Sequence, residues 1–459
     1  MARCRWRRVL LCLCMPCCFL VFLYISLGVL IVMNMTSTAI QPAIKPSPSY
    51  FIAPVSSGNA SVAHVPKTFW EQHVHDDAFW NKLQRSVDHH FNHILYPNMA
   101  KKASDRSNFS DYLLKETFSK IMSTEIMKNL EKLPMDIQDF ITNMQRRDYP
   151  VLIQPRGVCG VRGTNEREPP LILLAIKSTE LNYKNRKAIR ETWGRAGWVQ
   201  GQKVNSSNKE LVGGYVRRVF LLGKESSADM DVDISDVLRM ESQRHGDILQ
   251  WDFKDTFFNI TLKDVLFWSW FAHHCDQARF ILKGDDDVFV NTPKLIAYLH
   301  HQFKKPEVSN SMEDFMMGEV IMAAQPNRDK RSKYFIPPGF YKGFYPMYAG
   351  GGGVVYSGLL ARRLLNISRT VHLFPIDDVY VGMCMVLLNA HPLHHPAFLT
   401  FDRSEQEEDE LCSYHTILLV HKRSPKQLVR LWAHIKKTQE QCQDVPLRDT
   451  KKTVAASAN

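Results

Sequence analysis

From Leu171 onward the chain alternates short apolar runs with amphipathic stretches. LILLAIKS (171–178), VRRVFLLG (216–223), DILQWDF (247–253) and RFILKG (279–284) have the near-continuous apolar character of strands buried on both faces. Between them NRKAIRETWG (185–194), DISDVLRMESQRHG (233–246) and TLKDVLFWSWFAHHC (261–275) read as helices, the second closed by Gly246. Strands alternating with helices predict an α/β domain with a mostly parallel central sheet flanked by helices. In such sheets ligands bind beyond the carboxyl ends of the strands.

A different pattern opens the chain. Val9–Met33 is 25 residues without a charge, longer than the about 20 that span a bilayer. Arg3, Arg5, Arg7 and Arg8 precede it, and no charge follows until Lys45. The span is too long for the apolar core of a cleaved signal peptide. It predicts a signal-anchor with residues 1–8 cytoplasmic and everything after Met33 lumenal. Residues 34–66, rich in Pro, Ser, Ala and Thr, read as an extended stem. Residues 67–165 read as a helical N-terminal extension, residues 166–442 as the main domain, and 443–459 as a disordered tail.

At 459 residues the chain can bury a large core, and 45% apolar with 23% charged residues excludes global disorder. The net charge is +11; without the four leading arginines, 54 basic residues face 47 acidic ones. That excess is too dispersed to point to nucleic acid. Of ten cysteines, Cys4, Cys12, Cys14, Cys17 and Cys18 lie in or beside the apolar span, where apolar filler or palmitoylation outweighs a metal reading. Cys159, Cys275, Cys384, Cys412 and Cys442 lie beyond it, and an oxidising lumen predicts two disulfides and one leftover thiol. Sequons at Asn34, Asn59, Asn108, Asn205, Asn259 and Asn366 agree with a secretory-pathway protein.

Four places carry candidate chemistry. FILKGDDDVFVN (280–291) ends a strand in three carboxylates. Along extended backbone the side chains of Asp285 and Asp287 point the same way and suit a shared hard cation, Mn²⁺ or Mg²⁺. A solvated acidic turn paired with Lys283 is the competing reading. In GFYPMYAGGGGVVYSG (343–358) four glycines allow close backbone approach to a ligand, or form a flexible turn. Tyr341, Tyr345 and Tyr348 suit either sugar stacking or core packing. HLFPIDDVYVGMCMVLL places Asp377 and Asp378 at a helix start, as an N-cap or as a general base. TILLVHKRSP ends a strand at His421, structural or the completing ligand of a divalent site. Arg186 and Arg190, on the helix after the first strand, suit either phosphate or ordinary ion pairs.

Together and in this order, KNRKAIRETWG, RVFLLG, DTFFNITLK, FILKGDDDVFVN, YPMYAGGGGVVYSG, FPIDDVYVGMC and LLVH resemble the Golgi β-1,3-glycosyltransferase family, over about Leu171 to His421. Within it they look most like the β-1,3-N-acetylglucosaminyltransferases that extend poly-N-acetyllactosamine. The resemblance implies a GT-A fold for the main domain. It implies UDP-GlcNAc as donor, a galactose-terminated glycan of glycoprotein or glycolipid as acceptor, and inversion at the anomeric carbon. It also implies a single-pass type II Golgi protein that associates with itself or with other Golgi transferases.

Carried over residue by residue, Asp285 and Asp287 match the motif that binds the metal–diphosphate; Asp286, Arg186 and Arg190 stand beside them as donor-side candidates by their place in the chain. Asp378 matches the catalytic base and His421 the residue that completes the metal site. Asp287 ranks first as metal ligand, Asp285 second, and Asp286 is the least constrained. Where relatives carry a Cys in the segment corresponding to MQRRDY, this chain has Arg146. That makes Cys159 the expected unpaired thiol, leaving Cys275, Cys384, Cys412 and Cys442 for two bridges. The segment AGWVQGQKVNSSNKELVGG is longer than the family leads one to expect and reads as a mobile loop. Two rivals stand beside this reading: a β-1,3-galactosyltransferase, and a catalytically dead, lectin-like membrane protein.

Overall fold

The structure is a computed structural model that describes residues 69–71, 77–97, 112, 114–119, 133–155, 159, 169–202, 212–225, 234–304, 312–322, 324–400 and 410–448. The apolar span 9–33, the stem 34–66 and the acidic run 404–409 lie outside the described residues. No helix among the described residues is long and apolar enough to cross a membrane.

The N-terminal extension contributes helices α1 (Phe79–Phe91) and α2 (Met135–Asn143), then a short strand β1 (Val151–Ile153). The main domain follows as β2 (Ile172–Lys177), α3 (Tyr183–Glu191), β3 (Gly197–Gln200), β4 (Gly213–Lys224), α4 (Ser235–His245), β5 (Ile248–Lys254), α5 (Ile260–His274) and β6 (Phe280–Asp285). Apart from β3, the strands and helices of this half stand where the apolar pattern puts them. Gly246 sits just past α4 at φ 65°, the left-handed stop that glycine adopts without steric cost. After β6 come β7 (Phe289–Val290), α6 (Thr292–Phe303), β8 (Met316–Ile321), β9 (Tyr348–Ser357), α7 (Gly358–Ser368) and α8 (Asp377–Leu387). The chain ends in β10 (Leu393–His394), β11 (Phe398–Leu399), β12 (Leu419–Val420) and α9 (Pro425–Thr438).

The main sheet runs β1-β5-β4-β2-β6-β9-β8-β10, with β3 paired to β4 at the side. Its central strands β5, β4, β2 and β6 are parallel, as expected. Beyond β6 the order turns antiparallel through β9 and β8. A second small sheet, β11-β12-β7, stands beside the end of β6.

Alternation along the strands divides the core in two. Leu173, Ala175, Leu221 and Ile281 face α5, α7 and α8, together with the extension. Ile172, Leu174, Ile176, Phe220 and Leu282 face the opposite layer of α3, α6 and α9. The extension belongs to the first layer: Trp80 is fully buried against Tyr341 and Phe374, and its Nε1 donates to the carbonyls of His372 and Leu373.

Three sequence readings are corrected here. The long segment after α3 is in part a hairpin, Gly197–Gln200 pairing with 213–216, while 203–211 lie outside the described residues. The beginning of the tail is docked rather than loose: Lys294 Nζ donates to the carbonyl of Val445, and Arg448 N to Thr416. The disulfides are Cys159–Cys275 and Cys412–Cys442. The leftover thiol is therefore Cys384, not Cys159. It is buried on α8 in apolar surroundings that push it up to about 12, so it stays a neutral packing group.

Candidate active site

Three chain segments converge beyond the carboxyl ends of β2 and β6. Parallel pairing sets Lys177 beside Asp285 at those ends. Asp286 and Asp287 occupy the turn into β7. Antiparallel pairing of β12 with β7 then brings His421, the residue after β12, against the same turn. Gly352 of β9 makes this approach possible. A Cβ there would stand 2.3 Å from Val288 Cγ1 and 2.7 Å from the His421 ring. The glycine run is thus part of a strand, and at Gly352 it admits neighbouring protein.

His421 Nε2 lies 3.2 Å from Asp287 Oδ1 and 3.8 Å from Asp285 Oδ2. One ligand atom from each of the three residues falls within 4.8 Å of the others. Asp287 Oδ1 is buried and accepts no hydrogen bond. Burial raises Asp285 to about 6 despite Lys177, with Asp377 and Asp287 adding repulsion. For His421 burial acts downward, but the nearby carboxylates of Asp287 and then Asp285 outweigh it and raise the imidazole. Two crowded carboxylates, an unfilled oxygen and an imidazole form an O,O,N donor set that fits a divalent cation such as Mn²⁺ or Mg²⁺.

Asp286 does not share in this set. It is only 7% exposed and accepts from Ser178 Oγ at 2.6 Å and Asn182 Nδ2 at 3.0 Å, with Asn185 Nδ2 at 3.3 Å. The residue expected to be least constrained is the most tightly held of the three, because its side chain points back into the loop after β2. Arg186 and Arg190 are engaged one layer further in. Arg186 pairs with Glu241 through Nε at 2.9 Å and Nη2 at 2.7 Å, and also bonds Ser178 Oγ and the Thr179 and Glu180 carbonyls. Arg190 pairs with Asp247 through two bonds and with Glu241 through a third. The Arg186 guanidinium braces the 178–182 loop that holds Asp286. The phosphate role expected of both arginines gives way to internal ion pairs, because Glu241 and Asp247 are buried and need cations.

Opposite the donor set, α8 begins with Asp377 and Asp378. Neither caps it: the N-cap position is Ile376, and no side chain bonds there. Asp377 bonds Lys177 Nζ, and Lys283 Nζ stands 3.8 Å from both carboxylates. Burial acts upward on both acids. For Asp377 the charges of Lys177 and Lys283 win and hold it well below the usual carboxylate range. For Asp378 burial and the repulsion of Asp377 win, and its proton affinity rises. Such a split between neighbouring carboxyls separates a permanent anion from a proton acceptor.

Beside Asp378 lies an aromatic face. The Tyr348 hydroxyl is pushed up to about 12 by burial and then by the Asp378 charge. Tyr334 is 45% exposed, packs edge-on against Phe257 at 5.2 Å, and shares the Lys333 ammonium with it. Of the tyrosines named from the sequence, Tyr341 and Tyr345 are core, and Tyr348 alone borders the site. Lys177, Asp264 and Tyr334 were not foreseen. Lys177, a charge closing an apolar strand, was the one legible signal among them.

A family model described as Galactosyltransferase matches residues 184–396. The chain is 39% identical over 402 residues to N-acetyllactosaminide beta-1,3-N-acetylglucosaminyltransferase 2 of Homo sapiens, covering 86% of this chain and 95% of that protein. The chain belongs to the galactosyltransferase family. Within it, this family member is also 40% identical over 304 residues to human N-acetyllactosaminide beta-1,3-N-acetylglucosaminyltransferase 4, covering 66% of this chain and 72% of the relative. It is 37% identical over 307 residues to UDP-GlcNAc:betaGal beta-1,3-N-acetylglucosaminyltransferase 7 of Rattus norvegicus, with the same shares. The model's span, 184–396, takes in the acidic turn and the start of α8 and stops before His421.

Proposed function

We propose that this protein is an inverting β-1,3-N-acetylglucosaminyltransferase that moves GlcNAc from UDP-GlcNAc to the 3-hydroxyl of a terminal β-galactose. The observation that carries the reading is the pairing of a cation-type cluster, Asp285, Asp287 and His421, with a split carboxylate pair, Asp377 and Asp378, across one sheet end. Its relatives' names supply the sugar and linkage. We read the mixed sheet with its acidic turn as a GT-A fold.

Asp285, Asp287 and His421 would hold the cation, which when bound supplies positive charge to the diphosphate of the donor. Asp378 receives the proton of the acceptor 3-hydroxyl as that oxygen bonds to the anomeric carbon. The bond from that carbon to UDP breaks on the opposite face, so an α-linked donor gives a β-linked product. Lys177 keeps Asp377 ionised, and Asp377 in turn keeps Asp378 a strong acceptor. Tyr334 and Phe257 offer an apolar face of the kind that receives the C–H side of a sugar ring.

Val9–Met33 serves as a type II anchor that places the domain in the Golgi lumen. The uncharged span after four arginines and two disulfides in one domain support this.

The deciding experiment incubates full-length protein and Mn²⁺ with UDP-GlcNAc or UDP-Gal and lactose-type acceptors, followed by linkage analysis. Transfer of GlcNAc in β-1,3 linkage is expected. Preference for UDP-Gal would replace the donor, and acceptor binding without turnover from either would leave a lectin.

A further inference from the structure

Asp264 lies in the second turn of α5, wholly buried beneath the site. Its Oδ2 receives Lys283 Nζ at 2.9 Å, and Lys177 Nζ stands 3.5 Å away. Its Oδ1 has no hydrogen-bond partner. The same two ammonium groups reach α8, Lys177 by its bond to Asp377 and Lys283 at 3.8 Å from Asp377 and Asp378. Each cation is therefore shared between a carboxylate no substrate can reach and one at the mouth of the site. Without Asp264, both lysines would have only the α8 carboxylates and Asp285 to satisfy them.

We propose that Asp264 is a positioning residue for transfer: from the core it holds Lys283 and Lys177 back and leaves the Asp378 carboxylate free toward the acceptor, a role that rests on Asp378 being the base. The charged and titratable groups around Asp264 are Lys177 from β2, Lys283 from β6, Tyr356 from β9 and Cys384 from α8, and those around Asp378 are Asp377, Lys283, Lys177, Asp285 and Tyr348. On the helix of Asp264, Lys263 is turned away, to the Ser178 carbonyl and Asp255. Asp264 thus faces the site through lysines alone.

The test is Asp264→Asn in full-length protein with Mn²⁺, UDP-GlcNAc and a galactose-terminated acceptor. We expect kcat to fall about tenfold, a fraction of the 10²–10⁴ a general base contributes. KM for the donor should change less than kcat does, since Asp264 reaches the cation cluster only through Lys177 beside Asp285. The acidic limb of kcat should move to lower pH, because lysines without Asp264 favour the ionised form of Asp378. Asp264→Glu restores the charge and should recover most of the loss. An unmoved kcat and limb, or a loss shared by kcat and donor KM that Glu does not rescue, overturns the role. If Asp264→Asn does not fold, Asp264→Asn with Lys283→Met removes the buried pair together. That variant should move the limb to higher pH, and a limb at the wild-type position overturns the role. Asp378→Asn in the same assay separates the two readings: full turnover there refutes the base, whatever Asp264 does.

Discussion

Asp377 and Asp378 are neighbours in one helical turn with opposite proton affinities, and that difference is the most consequential feature of single residues here. Lys177 decides it, by bonding Asp377 and only approaching Asp378. Asp378→Asn should therefore lower kcat by about 10²–10⁴ while leaving UDP affinity, measured by calorimetry, unchanged. Because burial and Asp377 raise Asp378, a larger share of it is protonated near neutrality than for an ordinary aspartate. Activity should accordingly rise with pH through the neutral range, and a flat profile from pH 5 to 8 would remove Asp378 as base. His421→Ala should raise the Mn²⁺ concentration for half-maximal activity at least about tenfold, the lower end of what lost ligand-shell groups produce. The carboxylates were legible as a cluster because three acids after an apolar strand are electrostatically expensive. Which of them turns inward was not legible. Asp286 is fixed by Ser178 and Asn182, more than a hundred residues away in sequence, and no local pattern encodes that.

Among elements, the apolar periodicity placed β2, β4, β5, β6 and the helices between them because each is buried on schedule with its own period. It did not mark the first half of β9, whose four glycines lack the side chains that mark a strand. The missing side chains are the space into which Val288 and His421 pack. Gly352→Ala should destabilise the protein by about 1–3 kcal/mol through overpacking and weaken Mn²⁺-dependent UDP binding at the same time; urea unfolding and UDP titration on one preparation test both. At α9 the Ser424 hydroxyl and Gln427 form a reciprocal capping box. Ser424→Ala should lower stability by about 1 kcal/mol without altering kcat, which urea unfolding and a rate measurement resolve.

For the whole molecule, the extension and the transferase body share one core. Trp80 fills a slot between Tyr341 and Phe374, on the segments that lead to Tyr348 and to Asp377. Trp80→Ala should cost about 3–5 kcal/mol by leaving a large cavity, seen as a lower urea midpoint. The sequence showed the extension as aromatic and helical, but the partners of those aromatics lie at the far end of the chain, where spacing says nothing.

That distance has a consequence for biosynthesis. Trp80 hydrogen-bonds to Leu373, 293 residues later. At about 5–20 residues per second of synthesis, the seat for α1 emerges roughly 15 to 60 s after α1 itself. During that interval Phe79, Trp80 and Leu83 are an apolar helix face without its acceptor. Helix α1 is therefore made early and docks late, and its apolar face must be shielded until the final third of the chain has left the ribosome.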